Sequence, residues 1–309
     1  RNHSSAASDV YKRQDDNMGY SFHKYWGQTD ITTIQSYINM RNNYGVPLWM
    51  GESGENSNHW YYEVFKLLEE NNIGWNFWTH KKVDKITSPY SALVTPQYQV
   101  IIDYLRGAIA QPDPNIAGMG LTSFANSLKI ENCITRPGVI ASLTDPEYGE
   151  ISKPYTTHSI PGTIPAAYYD IGARGLSYSD SDYWNDGDGG YNDGWVFRND
   201  GVDVEGSDDD PNIPYTVGWT EAGEWLGYTI EDVSPGTYEV SFSISAPDAG
   251  GIFFAQLSGQ NLGVIDVPAT GGWYNWEDLP AQTISVSEGE KFLKIQIVQA
   301  GFNLSLIHI

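Results

Sequence analysis

Residues 237–246, TYEVSFSISA, decide how the second half of this chain folds. Tyr238, Val240, Phe242 and Ile244 alternate with polar neighbours. A period of two puts one face of a strand in a core and the other towards water. KFLKIQIVQ (291–299) repeats the pattern with Leu293, Ile295 and Ile297. GIFFAQL (251–257), GVIDVP (263–268) and QTISVSEG (282–289) are further short strands at near-regular spacing. Together they carry the signature of an antiparallel β-sandwich. The pattern stops upstream of Pro161, and prolines and glycines cluster over 150–162, which sets a domain boundary there.

Before that boundary the texture is alternating strand and helix. GYSFHKYW (19–26) reads as a strand, and 30–45 as a helix with Ile31, Ile34, Tyr37 and Ile38 at helical spacing. Asp30 is its expected N-cap and Gly45 its stop. VPLWMG (46–51) reads as a strand buried on both faces. Residues 59–72 form the next helix, with Trp60, Val64, Leu67 and Leu68 on one side, and IGWNFWTH (73–80) the next buried strand. PQYQVIIDYLRG (96–107) is a third helix, with Pro96 in its first turn. Three βα units in a row imply a parallel sheet. Helices are also expected within 121–130 and 138–143, in a segment (108–159) to which the sequence assigns no function.

The bulk numbers narrow the partners. A net charge of −22 and an isoelectric point near 4.4 repel nucleic-acid backbones and anionic membranes. No run approaches the ~18 apolar residues of a membrane helix. Eleven tryptophans and 21 tyrosines suit a rich aromatic core or a sugar-stacking surface. A single cysteine, Cys133, rules out an intrachain disulfide. RNHSSAASDVYKRQ (1–14) and SLIHI (305–309) do not continue the patterns beside them and resemble translated sequencing-adapter sequence. Both are expected to stand outside the fold.

Functional groups of a parallel βα array gather at the carboxyl ends of its strands. Those ends supply His23 and Tyr25, then Glu52, then Trp78. A carboxylate beside a phenol, an imidazole and an indole could cleave a glycoside, and Glu52 could equally be a helix N-terminal acid and Trp78 core. FHKYW, PLWMGESGENSNHW and IGWNFWTHKKV resemble the sixth, seventh and eighth strand regions of glycoside hydrolase family 5, a retaining (β/α)8-barrel family, over about 15–107. The resemblance implies that Glu52 is the nucleophile, that His23 and Tyr25 flank it, and that Trp78 lines the sugar subsite. It also implies that the acid/base carboxylate lies on a strand upstream of this chain. Glu55 and Asp84 are read as solvated rather than as substitutes, and the chain is expected to be inactive. No cofactor is required for that chemistry.

In the second half, GVDVEG, VGWTEAGEWLGYTI, VPATGGWYNWEDL and AGFNL set aromatic and hydrogen-bonding residues beside glycines and strand ends. Two tryptophans could sandwich a sugar while an amide and a carboxylate read its hydroxyls. Trp225 and Trp276 are assigned mainly to the core. These stretches resemble the family 6 carbohydrate-binding modules over about 160–304. The resemblance implies Trp219 and Trp273 as aromatic walls, Asn303 as the hydroxyl-reading amide and Glu205 as an acidic clamp. Between Asp180 and Asp210 stand eleven carboxylates and one base, Arg198. They read either as a solvated acidic loop or as a structural calcium site, with Asp170 and Asp203 as candidate ligands. NDGDGGYND (185–193) departs from EF-hand spacing at Gly190.

The expected architecture is therefore multidomain, α/β followed by all-β. The C-terminal portion of a (β/α)8 TIM barrel (15–107) is followed by a helical extension and linker (108–159) and an antiparallel β-sandwich, or jelly-roll, module (160–304). The expected function is a fragment of a secreted retaining glycoside hydrolase acting outside the cell. Its partner is a β-linked polysaccharide, a glucan by default, and its state is a monomer. A non-catalytic carbohydrate-binding protein and a calcium-dependent adhesion protein are the alternatives.

Overall fold

The computed structural model describes residues 17–187, 190–192, 194–210 and 212–309. The suspect segment 1–14 lies outside those residues, as do Asp188, Gly189 and Asp193 of the acidic loop.

The first half opens with β1 (Tyr20–His23), α1 (Gln35–Tyr44), β2 (Leu48–Glu52), α2 (Asn58–Glu70) and β3 (Gly74–Trp75). The strands pair in parallel, in the order β1-β2-β3, as expected of consecutive βα units. Asp30 caps a 3-10 turn (Ile31–Thr33) ahead of α1 rather than α1 itself, and Gly45 ends α1 in the left-handed conformation. Ser57 caps α2, whose Trp60, Val64, Phe65 and Leu68 are buried against the sheet.

Two strand readings need correction. β2 is not buried on both faces: Leu48 and Met50 point into the core, while Trp49 is 43 % exposed. Its ring lies where Gly74 leaves room, since a Cβ there would come within 2.3 Å of it. The third strand is two residues long rather than eight, because it has a neighbour on one side only and then leaves the ladder. The sheet is open and three-stranded.

Beyond it, β4 (Lys81–Val83), β5 (Tyr90–Ala92) and β6 (Ile134–Thr135) make a small separate sheet. α3 (Pro96–Leu105) buries no residue; it packs on α4 (Pro114–Ser127), where Tyr98 stacks on Phe124 at 4.1 Å. α5 (Pro137–Thr144) instead packs on α2 and adds Val139 to the first core. The 108–159 segment is thus a pair of attachments, one of them sealing the first half.

The second half is a β-sandwich. β7 (Ser159–Ile160) pairs with β13 (Asp232–Val233) at its margin. One sheet runs β10 (Val204–Asp210), β11 (Ile213–Val217), β20 (Asn303–His308), β14 (Gly236–Ala246), β17 (Gly272–Asp278), with β18 (Gln282–Val286) also on β14 and β8 (Thr163–Pro165) on β20. The other runs β16 (Gln260–Val267), β15 (Gly251–Leu257), β19 (Lys291–Gln299), β12 (Trp225–Ile230), β9 (Tyr178–Ser179). The alternating residues meet as the pattern requires: Phe242 of β14 crosses Phe253 of β15 edge-to-face at 5.0 Å. Ile244, Ile295, Ile297 and Leu304 close the same core.

SLIHI is not outside this fold. Ser305, Leu306 and Ile307 are buried, and Phe242, Ser243 and Thr163–Pro165 pair with them. The sheet needs a strand between β11 and β14, and Leu306 and Ile307 are apolar enough to supply it. Trp225 and Trp276 are not core residues either. Trp225 carries the Lys294 ammonium over its ring at 4.1 Å, and the Trp276 indole donates to Asp208 at 3.0 Å.

The two halves meet through buried amides. The Asn58 amide N–H donates to the Asn199 carbonyl at 2.8 Å, and its side chain to Asp200 at 2.6 Å. Asn199 returns bonds to the Asn56 carbonyl and the Asn58 side chain. Asn56, fully buried, donates to the carbonyls of Tyr25 and Asn185 and accepts from the Asn185 amide. Arg136 reaches across from the start of α5 to the Phe197 carbonyl at 2.9 Å. Saturated networks of this kind fix relative position, because each donor has one place to go.

Candidate functional site

Glu52 ends β2 opposite His23 in the pairing register. The Tyr25 hydroxyl donates to Glu52 Oε2 at 2.7 Å, and His23 Nδ1 lies 3.4 Å from the same oxygen. Burial, then the hydrogen bond and charge of Glu52, push the Tyr25 phenol well above its usual range. It therefore stays protonated and donating. Trp78 is 48 % exposed, and its backbone is drawn to the Glu52 loop by an N–H bond to the Ser53 carbonyl at 2.6 Å. Gly54 permits that approach, since a Cβ on it would lie 2.1 Å from the Trp78 carbonyl oxygen. The four residues singled out in the first half thus lie on the carboxyl ends of adjoining strands and the loops that follow them. Glu55 is ion-paired with Lys82 at 2.7 Å, and Asp84 accepts from the Val94 amide at 3.0 Å, so both are structurally engaged. Asn56, which fastens the Tyr25 backbone, was not read from the sequence; a buried asparagine in a loop carries no periodic signal.

The second site lies at one end of the sandwich. Trp219, on the loop between β11 and β12, and Trp273, at the start of β17, are 47 % and 45 % exposed and line a cavity of about 350 Å3. Trp219 sits at φ 43°, a left-handed position that non-glycine residues rarely hold. Thr220 secures this loop by donating to the Phe302 carbonyl at 3.1 Å. Behind the tryptophans, the Asn303 amide donates to Glu205 Oε1 at 3.0 Å and to the Trp273 carbonyl at 3.1 Å. The other Glu205 oxygen accepts from Tyr274 at 2.6 Å. Gly218 leaves space for this pair, because a Cβ there would approach Asn303 Oδ1 to 3.0 Å. Two exposed indoles can hold a pyranose ring by its apolar face, while the buried Asn303 amide behind them fixes the Trp273 backbone.

The structure brings together these four residues singled out in the sequence, and sets others beside them. Tyr274, Asp180, Glu221 and Glu224 belong to the same end of the module. Glu221 and Glu224 stand inside VGWTEAGEW and could have been read with Trp219; nothing local marks Asp180. Its carboxyl is pushed up to about 8 by burial and by the charges of Glu224 and Asp203.

Neither calcium candidate belongs to a cluster of metal-ligating side chains among the described residues. The Asp170 oxygens are taken by the Thr229 amide (2.8 Å), the Thr229 hydroxyl (2.6 Å) and Ser152 (2.8 Å). Asp203 lines the aromatic cavity instead. Among the described residues no three His, Cys, Asp or Glu side chains converge on a metal position.

Residues 198–309 match the family model described as carbohydrate binding module (family 35). The clotting factor G alpha subunit of Tachypleus tridentatus is 33 % identical over 90 residues, which are 28 % of this chain and 13 % of that protein. Among solved structures, the C-terminal CBM6 of a marine laminarinase from Zobellia galactanivorans is 26 % identical. It covers 47 % of this chain and 95 % of its own, with a TM-score of 0.35. A CBM6 of lichenase 5A from Cellvibrio mixtus, solved with cellotriose, is 28 % identical over 35 % of this chain and 84 % of its own, with a TM-score of 0.31. The sequence resemblance named family 6, whereas the matching model is that of family 35. On that match, the C-terminal region of this chain is a carbohydrate-binding module.

Proposed function

We propose that the chain belongs to a secreted retaining glycoside hydrolase, in which the module holds a β-linked polysaccharide near the catalytic half. The observation that carries the binding half is the Trp219–Trp273 cavity backed by Asn303, Glu205 and Tyr274. A glucan is the polymer implied by the motifs of the first half. Action on a polymer is the reason an extracellular location belongs to this proposal.

The catalytic half rests on Glu52. In a retaining mechanism its carboxylate attacks the anomeric carbon. Tyr25 and His23 hold one oxygen of that carboxylate in place, and Trp78 offers a ring for the sugar to lie on. Neither Glu55, ion-paired with Lys82, nor Asp84, which accepts from the Val94 amide, is offered as the second carboxylate, needed ~5–5.5 Å away to protonate the leaving oxygen. The chain binds polysaccharide and does not turn it over.

Affinity electrophoresis through gels containing soluble polysaccharides tests the proposal. Retardation by a β-glucan that disappears in Trp273→Ala supports it. Passage through every polymer unretarded, by a chain shown to be folded, refutes the binding half; rapid hydrolysis by the purified chain refutes the expectation that it binds without turnover.

A further inference from the structure

Where the two halves meet, a second cavity of about 150 Å3 opens beside the start of α5. Ile86 reaches it from the first half, Ile134 and Arg136 from β6 and the residue after it, Tyr155 from the connection, and Phe197 and Tyr215 from the sandwich. The chain carries a net charge of −22, yet no aspartate or glutamate stands among the described residues of this lining. Two arginines do. Arg198 is spent, because Asp200 and the carbonyls of Tyr169 and Asp170 take its nitrogens. Arg136 is half-buried and different. Its Nε donates to Ser91 at 3.0 Å and its Nη1 to the Phe197 carbonyl at 2.9 Å, and among the described residues Nη2 has no partner. Asp200, behind Gly138, supplies no charge to it, being closed on Arg198. Burial pushes the Arg136 guanidinium down, and the groups that oppose this are the phenols of Tyr215 and Tyr155 rather than a carboxylate. A cation withdrawn from water ordinarily has an anion beside it.

We propose that this junction cavity binds a small aromatic carboxylate, with its anion on Arg136 and its ring against Phe197 and the two isoleucines. A carboxylate accepts from several donors at once, and its bond to a guanidinium is of the stronger, charge-assisted kind. The Tyr155 and Tyr215 hydroxyls bond to none of the described residues and can donate to the same group. Burial raises the Tyr155 phenol, which keeps it a donor. The flat surfaces specify the ring: Phe197 stacks on Tyr215 at 4.3 Å, and Tyr155 meets Phe197 edge-on at 5.3 Å. A sugar acid would have to strip water from its hydroxyls against isoleucine, which an aryl body does not. The volume suits one ring rather than a polymer. The cavity shares no residue with the Trp219–Trp273 cleft, so the inference stands apart from the polysaccharide reading.

The test is calorimetric titration of the full chain at neutral pH with benzoate, acetate, benzyl alcohol and glucuronate. Acetate carries the charge without the ring, benzyl alcohol the ring without the charge, and glucuronate the charge on a hydroxylated ring. Benzoate is expected to bind at least about tenfold more tightly than each of the others, and to raise the melting temperature, since it touches both halves. Arg136→Gln should abolish the preference. Because Arg136 also bonds Ser91 and Phe197, a second variant leaves those bonds in place: Ile134→Trp, at a side chain 39 % exposed, fills the cavity and should abolish binding. Trp273→Ala should leave it unchanged. Failure of benzoate to bind, binding no tighter than that of acetate, benzyl alcohol or glucuronate, or binding that survives Ile134→Trp overturns the proposal.

Discussion

Replacing Asp200 by asparagine should be among the most damaging isosteric changes in the molecule. Asp200 and Arg198 are both almost fully buried and paired at 2.8 Å. Arg198 also donates to the carbonyls of Tyr169 and Asp170 and stacks over Tyr169 at 3.9 Å. Asp200 accepts on both oxygens, from Asn58 on one and from Arg198 and Tyr169 on the other. An amide turned either way must therefore point its NH2 group at a donor, and the guanidinium is left buried without a counter-charge. Breaking a buried pair from one side costs ~3–5 kcal/mol. For a unit of this size, at ~2–4 °C per kcal/mol, the melting temperature should fall by about 6–20 °C. Scanning calorimetry reads this directly. A second variant, Asp200→Asn with Arg198→Met, removes the stranded charge and should recover part of the loss. A fall below about 3 °C for the single variant, or a double variant no better than the single, would refute the argument that the pair is electrostatically closed.

Other outcomes follow from the same geometry. Gly54→Ala places a Cβ 2.1 Å from the Trp78 carbonyl oxygen and should cost ~1–3 kcal/mol in the first half, read by urea denaturation. Ile307→Ala should cost ~2–5 kcal/mol, since Ile307 is fully buried opposite Phe242; a neutral result would place 305–309 outside the fold after all. Asp180 binds its proton more tightly folded than unfolded, so its contribution is greatest below the ordinary carboxylate range and is lost as pH rises towards about 8. Melting temperature measured against pH should decline over that window, and Asp180→Asn should flatten the decline; an unchanged slope counts against the shift.

How much of this was legible beforehand depended on whether the signal was periodic. The alternation in TYEVSFSISA and KFLKIQIVQ specified inward faces, and Phe242, Ile244, Ile295 and Ile297 are inward. The helix over 58–70 followed from Trp60, Val64 and Leu68. Motif-borne residues are adjacent in space as well: Tyr25 meets Glu52, and Asn303 meets Glu205. What failed was whatever depended on a neighbour. The length of β3 was set by a missing second partner, and the outward face of Trp49 by the space at Gly74. Trp225 and Trp276 looked like core because large aromatics usually are, but Lys294 and Asp208 satisfy them at the surface. Asp170 looked like a free ligand; Thr229 and Ser152, distant in sequence, had already claimed it.

The asparagine junction bears on how two sites on one chain can cooperate. Tethered modules ordinarily gain avidity through a flexible linker, which lets the second site search a volume and sets an effective concentration. Under the proposed function, Asn56, Asn58, Asn185 and Asn199 would replace that search with a fixed vector between the Trp219–Trp273 cleft and Glu52. Such an arrangement has no partial credit. A polymer whose helical pitch and persistence match the vector meets both sites at a high local concentration, and one that does not gains nothing from the second. Discrimination between polysaccharides can then arise from the shape of the chain between two contacts, without either contact distinguishing the sugars themselves.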